Sequence, residues 1–179
     1  VGGRRVVEAG HAAGRVQSIV DADGVTTAMA YDWRGLRTSI ARAGRTWSYG
    51  YDGNGNMTAQ TEPVPAGGTA AQYTSTTIYD ARNRPTSYTP ATRGMTTGRV
   101  AQLGLGTLTM AYDGNGTYGP AHLITLPGFG SISRTYATSG QVAKETRTIT
   151  LTATQGATLN STQWVERRYD ALGHPTNVT

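Results

Sequence analysis

"AYDGNGTYG", residues 111–119, is nearly a copy of "GYDGNGNMT", residues 50–58. A Gly-rich stretch of this kind either cradles a phosphate or turns the chain, and the choice between the two decides the fold. Repetition bears on that choice first, because an array changes the meaning of each copy. Tyr-Asp recurs at Tyr31-Asp32 ("YDWRGLRT"), Tyr51-Asp52, Tyr79-Asp80 ("YDARNRPT"), Tyr112-Asp113 and Tyr169-Asp170 ("YDALGHPT"). Two decayed copies join them: "YATSGQVA" keeps Tyr136 and Gly140, and "GHAAGRVQ", from Gly10, keeps only the Gly four positions on. The starts at 10, 31, 51, 79, 112, 136 and 169 are 20 to 21 residues apart where tight and 24 to 33 where loops are inserted. The whole chain of 179 residues reads as an array.

Asp-x-x-Gly is the sequence of a type I turn closed by a left-handed residue, a common hairpin connection. The Asp side chain bonds backbone N–H groups two or three residues on, and Gly takes the positive φ without steric penalty. Asp32 with Gly35, Asp52 with Gly55, Asp113 with Gly116 and Asp170 with Gly173 fit it, as does an extra turn at Asp21-Ala22-Asp23-Gly24. The copy opened by Asp80 ends in Asn83, the residue next best able to visit that region. "TTAMAYD", "RTWSYGYD", "YTSTTIYD", "GTLTMAYD" and "STQWVERRYD" run into the turns rich in Thr, Tyr, Trp, Ile and Val, with period-two alternation. The alternating run in "VAKETRTITLTATQ" also favours strand, and no stretch makes a convincing amphipathic helix.

Composition sets the kind of β-protein. Leu, Ile, Val and Phe number 27 of 179 residues, against 30 Thr, 24 Gly and 10 Tyr. Such a chain makes much sheet but only a modest apolar core. The expected fold is all-β: antiparallel hairpins forming a thin curved sheet, with ladders of Tyr and Thr across strands.

The unit Tyr-Asp-x-x-Gly at about 20-residue spacing resembles the YD repeat of the Rhs family, found in bacterial Rhs polymorphic toxins, the B and C components of insecticidal toxin complexes and the animal teneurins. The resemblance spans residues 10–176. It implies a section of a hollow spiral β-shell that encapsulates a toxic polypeptide and carries it for secretion or delivery by a bacterial secretion system. The implied partners are the remainder of the shell and the enclosed toxin domain. An extracellular adhesion or glycan-binding module is the alternative. The spacing departs from regularity after the third and fourth copies, and nothing here resembles the Asp-Pro-x-Gly signature that closes such shells.

Catalytic readings find little support. Six of the seven Asp open turns, and Glu8, Glu62, Glu145 and Glu166 share no motif. His11, His122 and His174 form no metal-ligand pattern, and the absence of cysteine removes thiolate nucleophiles, zinc clusters and disulfides. "LGLGTLT" and "PGFGSIS" lack the third Gly of a dinucleotide fingerprint, and no Gly-Lys-Ser/Thr follows to make a P-loop. The repeated "DGNG" therefore turns a hairpin. No enzymatic activity and no cofactor are expected.

The net charge of +5 invites a nucleic-acid partner, but 15 of the 16 basic residues are dispersed Arg and no binding motif accompanies them. A basic patch would need Arg34, Arg37, Arg42 and Arg45 to meet across hairpins, and specific nucleic-acid binding is not expected. Trp33, Trp47 and Trp164 read as sheet-packing residues. The Asn-x-Ser/Thr sequons at Asn56 and Asn115 are explained by the turn motif, whereas those at Asn160 and Asn177 fall outside it. No stretch of these residues reads as a membrane span or as a charged and apolar leader, while a repeat lies within ten residues of each terminus. The array reads as an excerpt, residues 1–179 forming one repeat region with inserted loops at 62–72 and 90–99.

Overall fold

The computed structural model describes residues 7–8, 11–12, 14–96, 106–112, 121–136, 141–152, 158–170 and 174–178. They divide into two compact units, residues 1–83 with 91–94 and residues 84–90 with 95–179. Asp113, Gly116, Gly140 and Gly173 lie outside the described residues, as does the part of the 90–99 loop beyond Thr96.

The first unit holds β1 (Val7–Glu8), β2 (His11–Ala12), β3 (Arg15–Val16), β4 (Ser18–Val20), β5 (Thr26–Tyr31), β6 (Arg37–Arg42), β7 (Arg45–Tyr51), β8 (Met57–Thr61) and β9 (Thr74–Tyr79). A single turn of 3-10 helix, Ala70–Tyr73, precedes β9. Strands β4 to β9 pair antiparallel in chain order, β1 adds to β4, and β2 pairs with β3. The second unit is a meander of β10 (Pro85–Thr89), β11 (Leu108–Tyr112), β12 (Ala121–Leu126), β13 (Gly130–Tyr136), β14 (Val142–Thr152), β15 (Thr158–Tyr169) and β16 (Pro175–Val178), again antiparallel in chain order. The fold is the all-β hairpin array implied by the alternating strands and Asp turns.

Each sheet sorts its side chains by face, because successive residues of a strand point to opposite sides. In β5, Thr27, Met29 and Tyr31 are half-buried while Thr26, Ala28 and Ala30 are exposed. Cross-strand register carries the larger side chains together, Met29 beside Ile40 beside Trp47, and in the second unit Met110 beside Ile124 beside Ile132. The opposite face is built of small and hydroxylated residues. One row runs Ala30, Ser39, Ser48, Thr61, Thr74, and another runs Thr109, Thr125, Ser131, Thr148, Thr162. The Oγ1 atoms of Thr61 and Thr74 stand 2.8 Å apart in a hydrogen bond across the ladder.

Among the described residues no second layer covers either face within a unit. Among the described residues Ala91 is the one buried hydrophobic side chain, at 5% exposure. A sheet of this composition gains little from apolar burial, so backbone ladders and specific polar bonds must hold it.

Candidate functional site

The repeated Asp opens a five-residue turn with the same bonds in successive copies. The Oδ1 of Asp32 accepts from the backbone N–H of Arg34 at 3.0 Å and of Leu36 at 2.9 Å. Asp52 does the same with Asn54 at 3.0 Å and Asn56 at 2.9 Å, and the extra turn at Asp21 repeats it with Asp23 and Val25. Asp80 accepts from Arg82 and Asp170 from His174, each at 2.9 Å. The residue three past the Asp donates back to the Asp carbonyl at Gly24, Gly35, Gly55 and Asn83. Its φ is +87° at Gly35, +88° at Gly55 and +61° at Asn83.

Two consequences can be measured. Gly55→Val should destabilise the first unit by about 1–2 kcal/mol, since a β-branched residue is strained at positive φ; an unchanged denaturant midpoint would refute the strain. The Asp turns also make stability acid-sensitive. The Asp52 carboxyl is held below its ordinary range by the Asn56 side chain and by turn amides, against a smaller desolvation effect. For Asp21 the leading cause is the Val25 N–H. For Asp32, desolvation raises the value, but the Leu36 N–H and Arg34 together outweigh it. Each folded-state pKa is depressed, so the stabilisation is full above the unfolded value of about 3.9 and is lost as pH falls through the folded one. Denaturant midpoints should be level from pH 7 to 5 and drop toward pH 2. A flat profile would contradict the turn bonding.

The repeated Tyr has a second role, absent from the sequence reading. The hydroxyl of Tyr31 donates to the backbone carbonyl of Val16 at 2.9 Å. Tyr51 donates to Arg37 at 2.9 Å, Tyr79 to Met57 at 3.1 Å, Tyr112 to Pro85 at 2.7 Å, Tyr136 to Ala121 at 2.8 Å and Tyr169 to Val142 at 3.0 Å. In five of these six bonds the acceptor is the sixth residue after the start of the preceding copy; Ala121, nine residues after Tyr112, is the exception. The Tyr also sits where the ladder register shifts, at Tyr31, Tyr51, Tyr112, Tyr136 and Tyr169. A bulge of this kind re-aims a side chain.

The result is a relay within each unit. Tyr31 is paired across its hairpin with Arg37, whose carbonyl holds Tyr51; Tyr51 is paired with Met57, whose carbonyl holds Tyr79. In the second unit Tyr112 is paired with Ala121, which holds Tyr136, and Tyr136 with Val142, which holds Tyr169. Tyr136 keeps its bond although its copy has lost the Asp. The turns also touch laterally. The Arg34 guanidinium donates to the Asp52 carbonyl, and the amides of Asn54 and Asn56 both donate to Asn83 Oδ1, at 2.9 and 2.8 Å. A Cβ added at Gly35 would run into the Arg15 guanidinium of the previous hairpin.

Repetition is the decisive property of this site: one Tyr bond and one Asp turn, restated copy after copy. Residues 34–70 match the family model for the RHS repeat. This chain carries an RHS repeat. Solved structures similar to the chain include TcdB2-TccC3-TEV (18% identity over 97% of this chain and 11% of that one, TM-score 0.33) and TcdB2-TccC3-Cdc42 (17%, 92% and 11%, 0.32). The Photorhabdus luminescens Tc holotoxin pore is similar at 18% identity over 93% of this chain and 11% of that one, with TM-score 0.30. The chain thus spans about a tenth of the length of each. No curated protein matches it. The RHS repeat match takes in the turn of Asp52 and Gly55, and β6 to β8 in full.

The remaining candidates fall into place singly. Glu62 is bound by both Arg93 Nε and Nη2, at 2.8 and 2.6 Å, which lowers its pKa. Glu145 is held between Arg134 and Arg147 at 2.8 Å each. The basic patch weighed from the sequence is broken up. Arg34 pairs with Asp32, Arg42 with Asp21, and Arg37 lies over the Tyr49 ring at 5.3 Å. Trp33 departs from the sheet-packing expectation: it occupies the exposed second position of its turn and is 93% accessible. Among the described residues no cluster of His, Asp or Glu has metal-binding geometry, and no helix is long and apolar enough to cross a membrane.

Proposed function

We propose that this chain is a structural, non-catalytic section of an Rhs-type β-shell wall, and that the assembled wall encloses a toxic polypeptide and carries it for delivery. The observation that carries the reading is the tyrosine relay. It joins each hairpin to the one before it by a bond that needs no second layer, which suits a wall one sheet thick. The RHS repeat supports the same assignment. So does the commitment of Asp21, Asp32 and Asp52 to turn amides, and of Glu62 and Glu145 to arginines, which gives those acids a structural role. Residues 1–179 act as one repeat region with inserted loops, and the partners are further turns of the same wall and the polypeptide inside it.

A wall has an inside, and this gives the test. The chain has no cysteine, so Ala28→Cys and Met29→Cys place single thiols on opposite faces of β5. In the native assembly a small maleimide should reach both, whereas a bulky polymer-linked maleimide should modify only one. Equal modification of both by the bulky reagent would refute enclosure and favour a free-standing adhesion sheet.

A further inference from the structure

Within the first unit, β7 is longer than its partner on one side. Against β6 its ladder runs out to Arg45, but against β8 it stops at Ser48 opposite Thr61. Past Thr61 the chain swings away. The N–H of Glu62 bonds the Tyr73 carbonyl at 2.9 Å, and Pro63 and Pro65 have no N–H to offer. The backbone of residues 45–47 is therefore left with an open edge, on which alternate residues direct N–H and C=O outward. This edge forms one wall of a cleft of about 890 Å³, faced by Pro63, Pro65 and the rings of Trp47 and Tyr73.

The charge in the cleft is one-sided. Glu62 is neutralised by its two bonds to Arg93, and across the hairpin Arg42 is engaged by Asp21 and Thr27. The Arg45 side chain lines the cleft, is exposed, and has no hydrogen-bond or ion-pair partner among the described residues. A free guanidinium presents a planar fork matched to a carboxylate. One such group is too few to follow a phosphate backbone.

We propose that this cleft binds an extended, acidic polypeptide segment of a partner chain, added as a short strand to the open edge of β7. Its carboxylate sits on Arg45 and its neighbouring side chains lie against Trp47 and Tyr73. Strand addition supplies main-chain hydrogen bonds, and the adjacent pocket supplies the preference for sequence. The site does not depend on the shell reading, since a β-strand ligand would dock on an adhesion sheet equally well.

The test is a fluorescence-anisotropy titration of the full chain with a labelled, capped Thr-Val-Glu-Val-Thr peptide. Saturable binding is expected, with added hydrogen-exchange protection at the Thr46 amide, which faces the open edge, while the amides of Arg45 and Trp47 already bond β6. Lys in place of the central Glu, or Arg45→Glu in the protein, should weaken binding at least about tenfold. A peptide with Pro at both Val positions, unable to complete the ladder, should not bind. Arg45→Gln, which introduces no new charge at the hairpin, should show an intermediate loss. Binding that ignores the Glu-to-Lys exchange, survives the prolines, or is absent up to millimolar peptide would overturn the proposal.

Discussion

Gly130→Ala is expected to destabilise the second unit by about 3 kcal/mol or more, the largest effect of any single substitution considered. Gly130 opens β13 with φ +121°, a region that residues with a Cβ scarcely enter. It is also wedged between strands, opposite Leu126 on β12 and Ile149 on β14. An added Cβ would overlap the Thr148 carbonyl oxygen and fall 2.9 Å from the Thr148 carbonyl carbon and 3.2 Å from the Ile149 Cα. All three atoms are backbone, so relief requires moving β14 off the ladder. Gly44→Ala is the control, because Gly44 has φ +73° but open space around its Cβ position. It should cost only about 1–2 kcal/mol. Urea midpoints of the two variants, compared with the parent, decide the matter; a Gly130→Ala variant no worse than Gly44→Ala would show that the close approach is not there.

The second large effect is cumulative. Phe in place of Tyr31, Tyr51 and Tyr79 removes three hydroxyls and leaves the carbonyls of Val16, Arg37 and Met57 without those donors. Each loss should cost about 1 kcal/mol. The three lie on different hairpins, so the triple variant should lose about 3 kcal/mol if the losses add. Ring volume and apolar area are unchanged, which separates the bond from packing. Tyr49→Phe, on β7 beneath Arg37, makes a fair control because the ring face that meets the guanidinium is retained. If the triple variant melts with the parent, the relay carries no stability.

What was legible from the residues was whatever short-range chemistry dictates. Asp32, Asp52 and Asp80 bond amides within four residues of themselves, and the residue that must take positive φ is Gly or Asn, so these turns follow from the letters alone. The tyrosines were legible as repeats but not as donors. Their acceptors are carbonyls 14 to 27 residues back, and a carbonyl belongs to every residue type. The regularity emerges only when copies are aligned, which puts five of the six acceptors at the sixth residue after the start of the preceding copy, even in the decayed copy at Gly10. Arg93 and Glu62 could not have been paired in advance, because their meeting depends on the path of two inserted segments. Trp33 was misread as a packing residue because composition cannot tell a turn position from a strand face. Gly130 lay in a stretch, "PGFGSIS", read only for the nucleotide motif it lacks. Its close approach to β14 is a tertiary fact.

A section of wall, unlike a closed domain, should leave its outermost strand edges unpaired. Among the described residues β1 pairs only with β4 and β16 only with β15, so each presents an unpaired edge, and the chain has a single Lys to guard such edges against pairing. The direct measurement is size exclusion with light scattering on the purified chain, followed by amide hydrogen exchange. The account predicts oligomers or larger assemblies, with fast exchange along β1 and β16 in any monomer that can be trapped. A stable monomer whose β1 and β16 amides are all protected would mean that the sheet closes within these residues, and the wall would have to be abandoned.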